Sequence, residues 1–149
     1  VFYWSKFVEY MDTMFLIMKG KPVSILQSFH HIGAPWDMWV FIMFDNEATW
    51  IFVLFNSLIH TIMYGYYGCT LFKIHVPKVI KGSITSLQIV QFVTGFTLVW
   101  PYKNIACYSE NRNLMFGFYF NYFYVGTVLL LFMNFYYHNY LSKSKHKSA

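Results

Sequence analysis

Residues 48–72 read ATWIFVLFNSLIHTIMYGYYGCTLF, a helix-length stretch without a lysine, arginine, aspartate or glutamate. Four further apolar stretches occur along the chain, separated by short polar breaks. Of the 149 residues, 57% are hydrophobic, 23% are aromatic and only 11% are charged, whereas soluble domains carry about a quarter charged residues. Because a helix needs about 20 residues to cross a bilayer core, the sequence predicts an all-α integral membrane protein.

We predict five membrane-crossing helices, since polar residues along the apolar stretches recur at helical rather than alternating spacing. Pro22, Pro77 and Pro101 lie near the proposed helix ends, where proline is best tolerated. The chain starts at Val1 and opens directly on membrane-like sequence, so we expect it to begin inside a longer protein. The predicted spans cover about 2–18, 23–43, 48–72, 83–101 and 114–137, within a transmembrane domain at 1–140 that precedes a basic tail at 141–149.

The distribution of basic residues predicts the orientation of these spans, because cytosolic loops are enriched in lysine and arginine. Eight lysines lie on one side of the predicted membrane and three basic residues lie on the other, so we assign the first side and the C-terminus to the cytosol. The eight are Lys19, Lys21, Lys73, Lys78, Lys81, Lys143, Lys145 and Lys147, and the three are Lys6, Lys103 and Arg112.

The last five residues, KHKSA at 145–149, have the Lys-x-Lys-x-x form of an endoplasmic-reticulum retrieval signal. A basic, solvated tail is the alternative interpretation, and the cytosolic C-terminus favours the signal. We therefore expect a multi-pass protein of the endoplasmic-reticulum membrane. The net charge of +5 does not indicate nucleic-acid binding, because the lysines occupy breaks and the tail rather than one continuous face.

Polar residues recur on four of the five predicted spans. Such residues are costly in a bilayer unless they face protein or a water-filled cavity. Each group alone is compatible with a structural ion-pair network or with interhelical hydrogen bonding, but their convergence predicts a polar pocket inside an apolar bundle. The groups are Lys6, Glu9, Asp12 and Thr13; Gln27, His30 and His31; Asn56, His60, Met63, Tyr64 and Tyr67; and Thr85, Gln88 and Gln91.

Three chemistries use clustered histidines at membrane depth. A di-iron centre needs about eight histidines and carboxylates in repeated boxes, whereas this chain has six histidines and places Gln27 where a ligand should be. A transporter with a histidine proton relay is compatible with the composition. The third is nucleophilic catalysis, in which a neutral imidazole attacks a thioester and carries the acyl group. Cys69 and Cys107 fall on opposite predicted membrane faces, and neither has the surroundings of an activated thiolate.

Four motifs, in order, resemble those of the ELO-type fatty-acid elongases. Residues 6–13 (KFVEYMDT) are similar to the family's Lys-x-x-Glu-x-x-Asp-Thr motif, and residues 27–31 (QSFHH) stand in the place of its His-x-x-His-His box. Residues 56–67 (NSLIHTIMYGYY) and 85–92 (TSLQIVQF) resemble its Asn-x-x-x-His-x-x-Met-Tyr-x-Tyr-Tyr and Thr-x-x-Gln-x-x-Gln-Phe motifs. The resemblance implies seven transmembrane helices, six forming a barrel around the other, of which this chain would supply the last five. An inactive elongase fragment, which lacks the first two helices and cannot close the pocket, is the alternative interpretation.

The same resemblance implies the condensing step of chain elongation, in which acyl-CoA and malonyl-CoA give 3-oxoacyl-CoA, carbon dioxide and CoA. The implied partners are the lipid bilayer, the two CoA substrates and either other elongation-cycle enzymes or further copies of the chain. Decarboxylation supplies the carbanion, so we expect no metal and no redox cofactor. Gln27, followed after the histidines by Ile-Gly-Ala-Pro-Trp, is similar to microbial and algal elongases that act on polyunsaturated acyl chains.

The resemblance also implies roles for individual residues. His30 is the predicted acyl acceptor, His31 would orient it or move protons, and His60 would approach the same carbonyl from the facing helix. Amide side chains would hydrogen-bond developing negative charge, and whether the charged residues of the first span bind substrate or brace the barrel is open. The predicted substrate-binding residues are Lys6, Glu9, Asp12, Gln27, Asn56, Tyr64, Gln88 and Gln91.

Overall fold

The computed structural model describes residues 1–142 apart from the Lys78 side chain, and every regular element in this range is helical. Residues 143–149 lie outside the described residues, and they include the predicted retrieval signal at 145–149 and most of the basic tail. The elements are α1 (Phe2–Val8), α2 (Tyr10–Met18), α3 (Ile25–Met43), α4 (Thr49–Leu71), α5 (Lys78–Val99), a 3₁₀ helix (Trp100–Asn104), α6 (Ala106–Ser109), α7 (Arg112–Tyr136) and a π-helical end (Tyr137–Leu141).

Helices occupy all five of the apolar stretches, and their ends lie within two residues of the predicted bounds except at the start of α5. The first stretch is divided at Glu9 into α1 and α2. Helix α5 begins at Lys78 rather than at residue 83, directly after Pro77. Proline lacks an N–H and has a fixed φ, so it is well suited to the start of a helix, where the first amides have no intrahelical acceptor.

Two helical segments within residues 1–142 are long and apolar enough to cross a membrane by themselves, Val79–Asn104 and Arg112–Leu141. Helices α3 and α4 are long enough as well, but they carry the polar residues of the predicted pocket, which lowers their hydropathy. Large apolar side chains such as Trp4, Ile25 and Leu130 are exposed on the outside of the bundle, as expected for lipid-facing helices. The number of membrane crossings stays a prediction.

Helix α7 lies between α3 and α5, while α4 packs on α5 and α1 packs on α3. The apolar core therefore runs along α7, which contributes its most deeply buried side chains, Phe118 and Val128. Phe118 stacks on Tyr122 of the same helix, with ring centroids 4.6 Å apart. The remaining members of the core cluster are Ala48, Ile51, Phe52, Phe92, Val99, Tyr108 and Val125.

A buried tyrosine fastens the α3–α4 connection to the segment before α7. The Tyr108 hydroxyl donates to Asn46 Oδ1 at 2.7 Å and accepts from the Ala48 backbone N–H at 3.0 Å. Burial raises the pKa of Tyr108, so the hydroxyl keeps the proton that it donates. This connection sets where α4 begins relative to α3, and hence how the two histidine-bearing helices face each other.

Candidate active site

A buried ion pair lies where α1 meets α4. Lys6 Nζ donates to Glu9 Oε1 at 2.7 Å and to Asn56 Oδ1 at 2.6 Å. Lys6 is 3% exposed and Glu9 is 6% exposed. Buried charges are tolerated when they are paired and hydrogen-bonded, and this arrangement satisfies both conditions. The two residues that the sequence places on one face of the first span are in direct contact.

Three histidine rings lie beside this ion pair. The ring centroid of His30 is 5.5 Å from that of His31 and 6.2 Å from that of His60, and the rings of His30 and His60 are inclined by 29°. His60 Nδ1 comes within 3.3 Å of Glu9 Oε1, but without hydrogen-bond geometry, and it has no hydrogen-bond partner among residues 1–142. The histidine box on α3 and His60 on α4 therefore belong to one cluster.

A hydroxyl on α2 and an amide on α3 form a hydrogen-bond chain to His31. Thr13 Oγ1 lies 2.8 Å from His31 Nδ1 and accepts a hydrogen bond from Gln27 Nε2 at 3.2 Å. A hydroxyl oxygen has two lone pairs and one proton, so after accepting from Gln27 it can still either donate to Nδ1 or accept from it, and the tautomer of His31 sets the direction. The Ser24 hydroxyl caps α3 by accepting from the Gln27 backbone N–H. Gln27 thus reaches the histidine pair through Thr13.

Asp12 is linked to α4 rather than to Lys6. The Tyr64 hydroxyl donates to Asp12 Oδ2 at 2.7 Å, and the Tyr64 ring lies edge-on to His60 with centroids 6.0 Å apart. The carboxylate of Asp12 is therefore engaged by a neutral donor, one helical turn beyond the ion pair of Lys6. This contact ties α2 to the same stretch of α4 that carries His60.

The three predicted amide donors lie in different surroundings. Asn56 uses its oxygen to accept from Lys6 and lines a cavity next to His30, and Gln91 is buried and lines the same cavity. Gln88 faces α4 instead, where its Nε2 lies 3.7 Å from Met63 Sδ, and it is not among the cavity-lining residues. Two of the three amides thus line the same cavity as His30.

The cavity brings in two polar residues that the sequence analysis missed. It has a volume of about 50 Å³ and is lined by Asp37 and Asn121 as well as His30. Asn121 Nδ2 donates to Asp37 Oδ2 at 2.8 Å, and the two residues are 2% and 3% exposed. A carboxylate inside an apolar predicted span was itself a signal of a functional or paired group. No local pattern connects it to a partner 84 residues later.

The main chain around His30 is shaped by a glycine and a proline. The Tyr124 hydroxyl donates to the His30 carbonyl oxygen at 3.0 Å. A Cβ atom at Gly33 would collide with the Tyr124 ring, so the missing side chain allows α7 to approach α3. Pro35 lies inside α3 and has no N–H to offer to the carbonyl of His31, four residues earlier. The Gly-Ala-Pro sequence after the histidine pair therefore fits a site in which α7 contacts the histidine backbone.

One group of residues within the described chain has the donor atoms of a metal site. The ligand atoms of Glu9, His30 and His31 all lie within 4.8 Å of one another. Lys6 already bonds to Glu9 at 2.7 Å, so a metal cation would have to compete with an ammonium group for this carboxylate. The donor set therefore fits a metal poorly, and the expectation of a metal-free site stays a prediction.

Chemically, the cluster combines potential nucleophiles with hydrogen-bonding groups at fixed distances. A neutral imidazole has one ring nitrogen with a free lone pair and one with a proton, so it can attack a carbonyl carbon or transfer a proton. The Lys6 ammonium and the amides of Asn56 and Gln91 are donors that can stabilise negative charge on oxygen. These are the components that acyl transfer requires.

Comparison with known proteins gives the family and a set of relatives. The family described as ELO: GNS1/SUR4 family matches residues 1–148. Very long chain fatty acid elongase 6 of Drosophila melanogaster is 31% identical over 158 aligned residues, covering 99% of this chain and 48% of that protein. Very long chain fatty acid elongase 7 of Rattus norvegicus is 34% identical, covering 94% and 51%. Very long chain fatty acid elongase 1 of Homo sapiens is 32% identical, also covering 94% and 51%.

The chain spans about half the length of the curated relatives that it matches. No solved structure matches it significantly. The aligned part contains all four polar groups of the site, since the family match begins at residue 1 and ends at residue 148.

Proposed function

Because this chain belongs to the GNS1/SUR4 (ELO) family, we propose that the protein of which it is part catalyses the condensing step of fatty-acid elongation. Its relatives are named fatty acid elongases. In the proposed reaction, acyl-CoA and malonyl-CoA give 3-oxoacyl-CoA, carbon dioxide and CoA. The observation that carries the proposal is the cluster of His30, His31 and His60 beside the buried Lys6–Glu9 pair.

His30 is the proposed acyl acceptor. It is the histidine whose ring lies near both of the others and which also lines the cavity with Asn56 and Gln91. Its imidazole nitrogen would attack the thioester carbonyl, so that the C–S bond breaks and CoA thiolate leaves. The donors around the cavity would stabilise the oxyanion that forms during this attack. Malonyl-CoA would then lose carbon dioxide, and its carbanion would take the acyl group from His30.

The remaining site residues hold the histidines in position under this proposal. The Thr13 hydroxyl bonds to Nδ1 of His31 and thereby fixes the orientation of this ring, with Nε2 left outside that hydrogen bond. Glu9 stands next to Nδ1 of His60 and carries a charge that can orient that ring. Asp12 and Tyr64 fasten the helices around them. Lys6, Glu9 and Asp12 would in this way act mainly on the shape and charge of the site.

The proposed substrates are polyunsaturated acyl chains, because Gln27 stands in the first box position and Ile-Gly-Ala-Pro-Trp follows the histidines. The contact of Gln27 with Thr13 supports a positioning role, since an amide can take part in that hydrogen-bond chain without being a base. We also propose that the protein is a multi-pass protein of the endoplasmic-reticulum membrane with a cytosolic C-terminus. Five of its seven spans would lie in this chain.

The test is an elongation assay on the full-length protein in microsomes, supplied with radiolabelled malonyl-CoA and a panel of saturated and polyunsaturated acyl-CoAs. We expect labelled 3-oxoacyl-CoA, with the highest rates on polyunsaturated chains, and no product from His30→Ala. His75→Ala is the matched control, because His75 is exposed in the α4–α5 connection and should retain full activity. Substrate flux across vesicles without malonyl-CoA consumption would instead identify a transporter.

A further inference from the structure

A buried polar pair joins α3 to α7 in the interior of the bundle. Asn121 Nδ2 donates to Asp37 Oδ2 at 2.8 Å. The other oxygens of the pair, Asp37 Oδ1 and Asn121 Oδ1, are buried and have no hydrogen-bond partner among residues 1–142. A buried acceptor that is left without a donor costs free energy, so both oxygens call for a donor that the surrounding side chains do not supply.

The cavity next to these oxygens has the size to hold water and polar groups on part of its wall. It measures about 50 Å³, and Asp37, Asn121, His30, Gln91 and Lys6 line it together with apolar side chains. A water molecule needs about 10–15 Å³ of such volume and two to four polar partners. The cavity therefore has room for more than one water, and a water between Asp37 Oδ1 and Asn121 Oδ1 would donate a hydrogen bond to each.

Asp37 and His30 face the same cavity from the same helix. They are seven residues apart on α3, which is two turns, and residues at this spacing share one face. Both side chains lean toward the helix N-terminus, so the separation along the helix stays at about 10 Å, and a chain of waters rather than a single one has to connect Asp37 to the His30 ring. Tyr124, which donates to the His30 carbonyl, lines the cavity from α7.

We propose that Asp37 and Asn121 form an internal water-binding site, and that Asp37 acts through a chain of waters in the cavity to accept and return the ring proton of His30 during acyl transfer. The inference rests on the proposed function, because it assigns Asp37 as a positioning residue for the acyl acceptor. It also accounts for the two unpartnered oxygens, which a purely interhelical hydrogen bond would leave unexplained.

The proton and electron pairs balance over the two half-reactions. In the first, the His30 lone pair forms a C–N bond, the C–S bond breaks toward sulfur, and the ring proton passes through water to the Asp37 carboxylate. The CoA thiolate takes its proton from solvent. In the second, malonyl-CoA loses carbon dioxide, its electron pair forms the new C–C bond, and the C–N bond breaks toward the ring. The ring then recovers its proton from Asp37.

The test measures the first half-reaction alone, as CoA released from acyl-CoA by full-length protein in detergent without malonyl-CoA. We expect Asp37→Asn to slow this release by about a hundredfold, the scale of a lost proton-transfer group, with little change in the acyl-CoA concentration that gives half of the maximal rate. The Asp37→Asn/Asn121→Asp double variant restores one carboxyl and one amide to the cavity, and it should recover most of the rate.

Asp37→Asn still allows an amide–amide hydrogen bond to Asn121, so a purely structural pair would survive the change. A wild-type rate for Asp37→Asn, or a double variant no faster than the single one, would overturn the inference. If either variant fails to fold, the inference is tested on a wild-type structure determined at a resolution at which ordered water is visible. Water bonded to Asp37 Oδ1 and Asn121 Oδ1 is expected, and a dry cavity overturns the inference. Wild-type protein that makes no 3-oxoacyl-CoA would instead refute the proposed function.

Discussion

The Tyr124 hydroxyl donates a hydrogen bond to the main-chain carbonyl of His30 at 3.0 Å, joining α7 to α3 at the centre of the histidine cluster. The contact depends on Gly33, because any side chain there would occupy the space of the Tyr124 ring. A residue near the end of the chain therefore helps to fix the backbone of the proposed acyl acceptor.

Gly33→Ala should displace the Tyr124 ring and with it the backbone of His30. We expect a loss of stability of about 1–3 kcal/mol, the usual cost of overpacking, and a marked fall in elongation rate. The measurement is thermal unfolding in detergent together with product formation. Gly65→Ala on α4 is the control, because no atom lies within 4 Å of its added Cβ. Equal behaviour of the two variants would show that the close approach of α7 is unimportant.

Lys6→Met should leave Glu9 as a buried, uncompensated charge. Breaking a buried pair by removing one partner costs about 3–5 kcal/mol, so the variant should unfold at a much lower temperature. The double variant Lys6→Met/Glu9→Gln removes both charges and should be clearly more stable than Lys6→Met. The check is a thermal-unfolding series of the single and double variants. Additive losses in the double variant would mean that the two charges are not coupled.

Thr13→Val should release His31 while preserving the shape of the side chain. Without the hydroxyl, neither Gln27 nor Thr13 fixes the orientation of the His31 ring, so we expect turnover to fall by about tenfold or more. Thr13→Ser keeps the hydroxyl and should remain close to wild type. The measurement is the turnover number of each variant in the microsomal assay, corrected for the amount of protein. A slow Thr13→Ser variant would point to packing of the methyl group rather than to the hydrogen bond.

Tyr108→Phe should lower stability without affecting the chemistry directly. The change leaves the Asn46 oxygen and the Ala48 N–H without their partner, at a cost of about 1–3 kcal/mol. Burial raises the pKa of Tyr108 above the ordinary value of 10.0. The hydroxyl therefore makes its full contribution to the free energy of unfolding below pH 10.0, and this contribution is lost as the pH rises through the folded-state pKa.

Tyr102→Phe is the control for this prediction, because the Tyr102 hydroxyl makes an exposed contact with Trp50 at 3.3 Å. It should cost much less in a denaturation experiment at neutral pH. If the two tyrosine variants unfold at the same temperature, the hydrogen bonds of Tyr108 do not stabilise the α3–α4 connection.

The helical character of the chain and the direction in which its polar residues face follow from local patterns. Lys6 and Glu9 lie one turn apart, so their meeting needs no information beyond helical periodicity. The sequence predicts that His60 and the histidine box face a common polar pocket, but it does not predict the distances between their rings. Asp12 is the instructive exception, since the same periodicity groups it with Lys6, whereas it bonds to Tyr64 on α4.

The contacts made by α7 could not be predicted in the same way. Asn121 and Tyr124 lie in a long aromatic stretch, and their partners Asp37 and His30 are 84 and 94 residues away. The pairing depends on how α7 is seated between α3 and α5, which is decided by side-chain packing across the whole bundle rather than by any motif. The need for glycine at position 33 likewise becomes apparent only when Tyr124 is placed beside it.

The central claim is that His30 carries the acyl group, and mass spectrometry of peptides from the acylated protein tests it most directly. Full-length protein would be incubated with acyl-CoA in the absence of malonyl-CoA, quenched, digested and sequenced by fragmentation. We predict an acyl mass on His30 that disappears when malonyl-CoA is added and is absent from His30→Ala. An acyl group on another residue, or continued 3-oxoacyl-CoA synthesis by His30→Ala, would contradict the account.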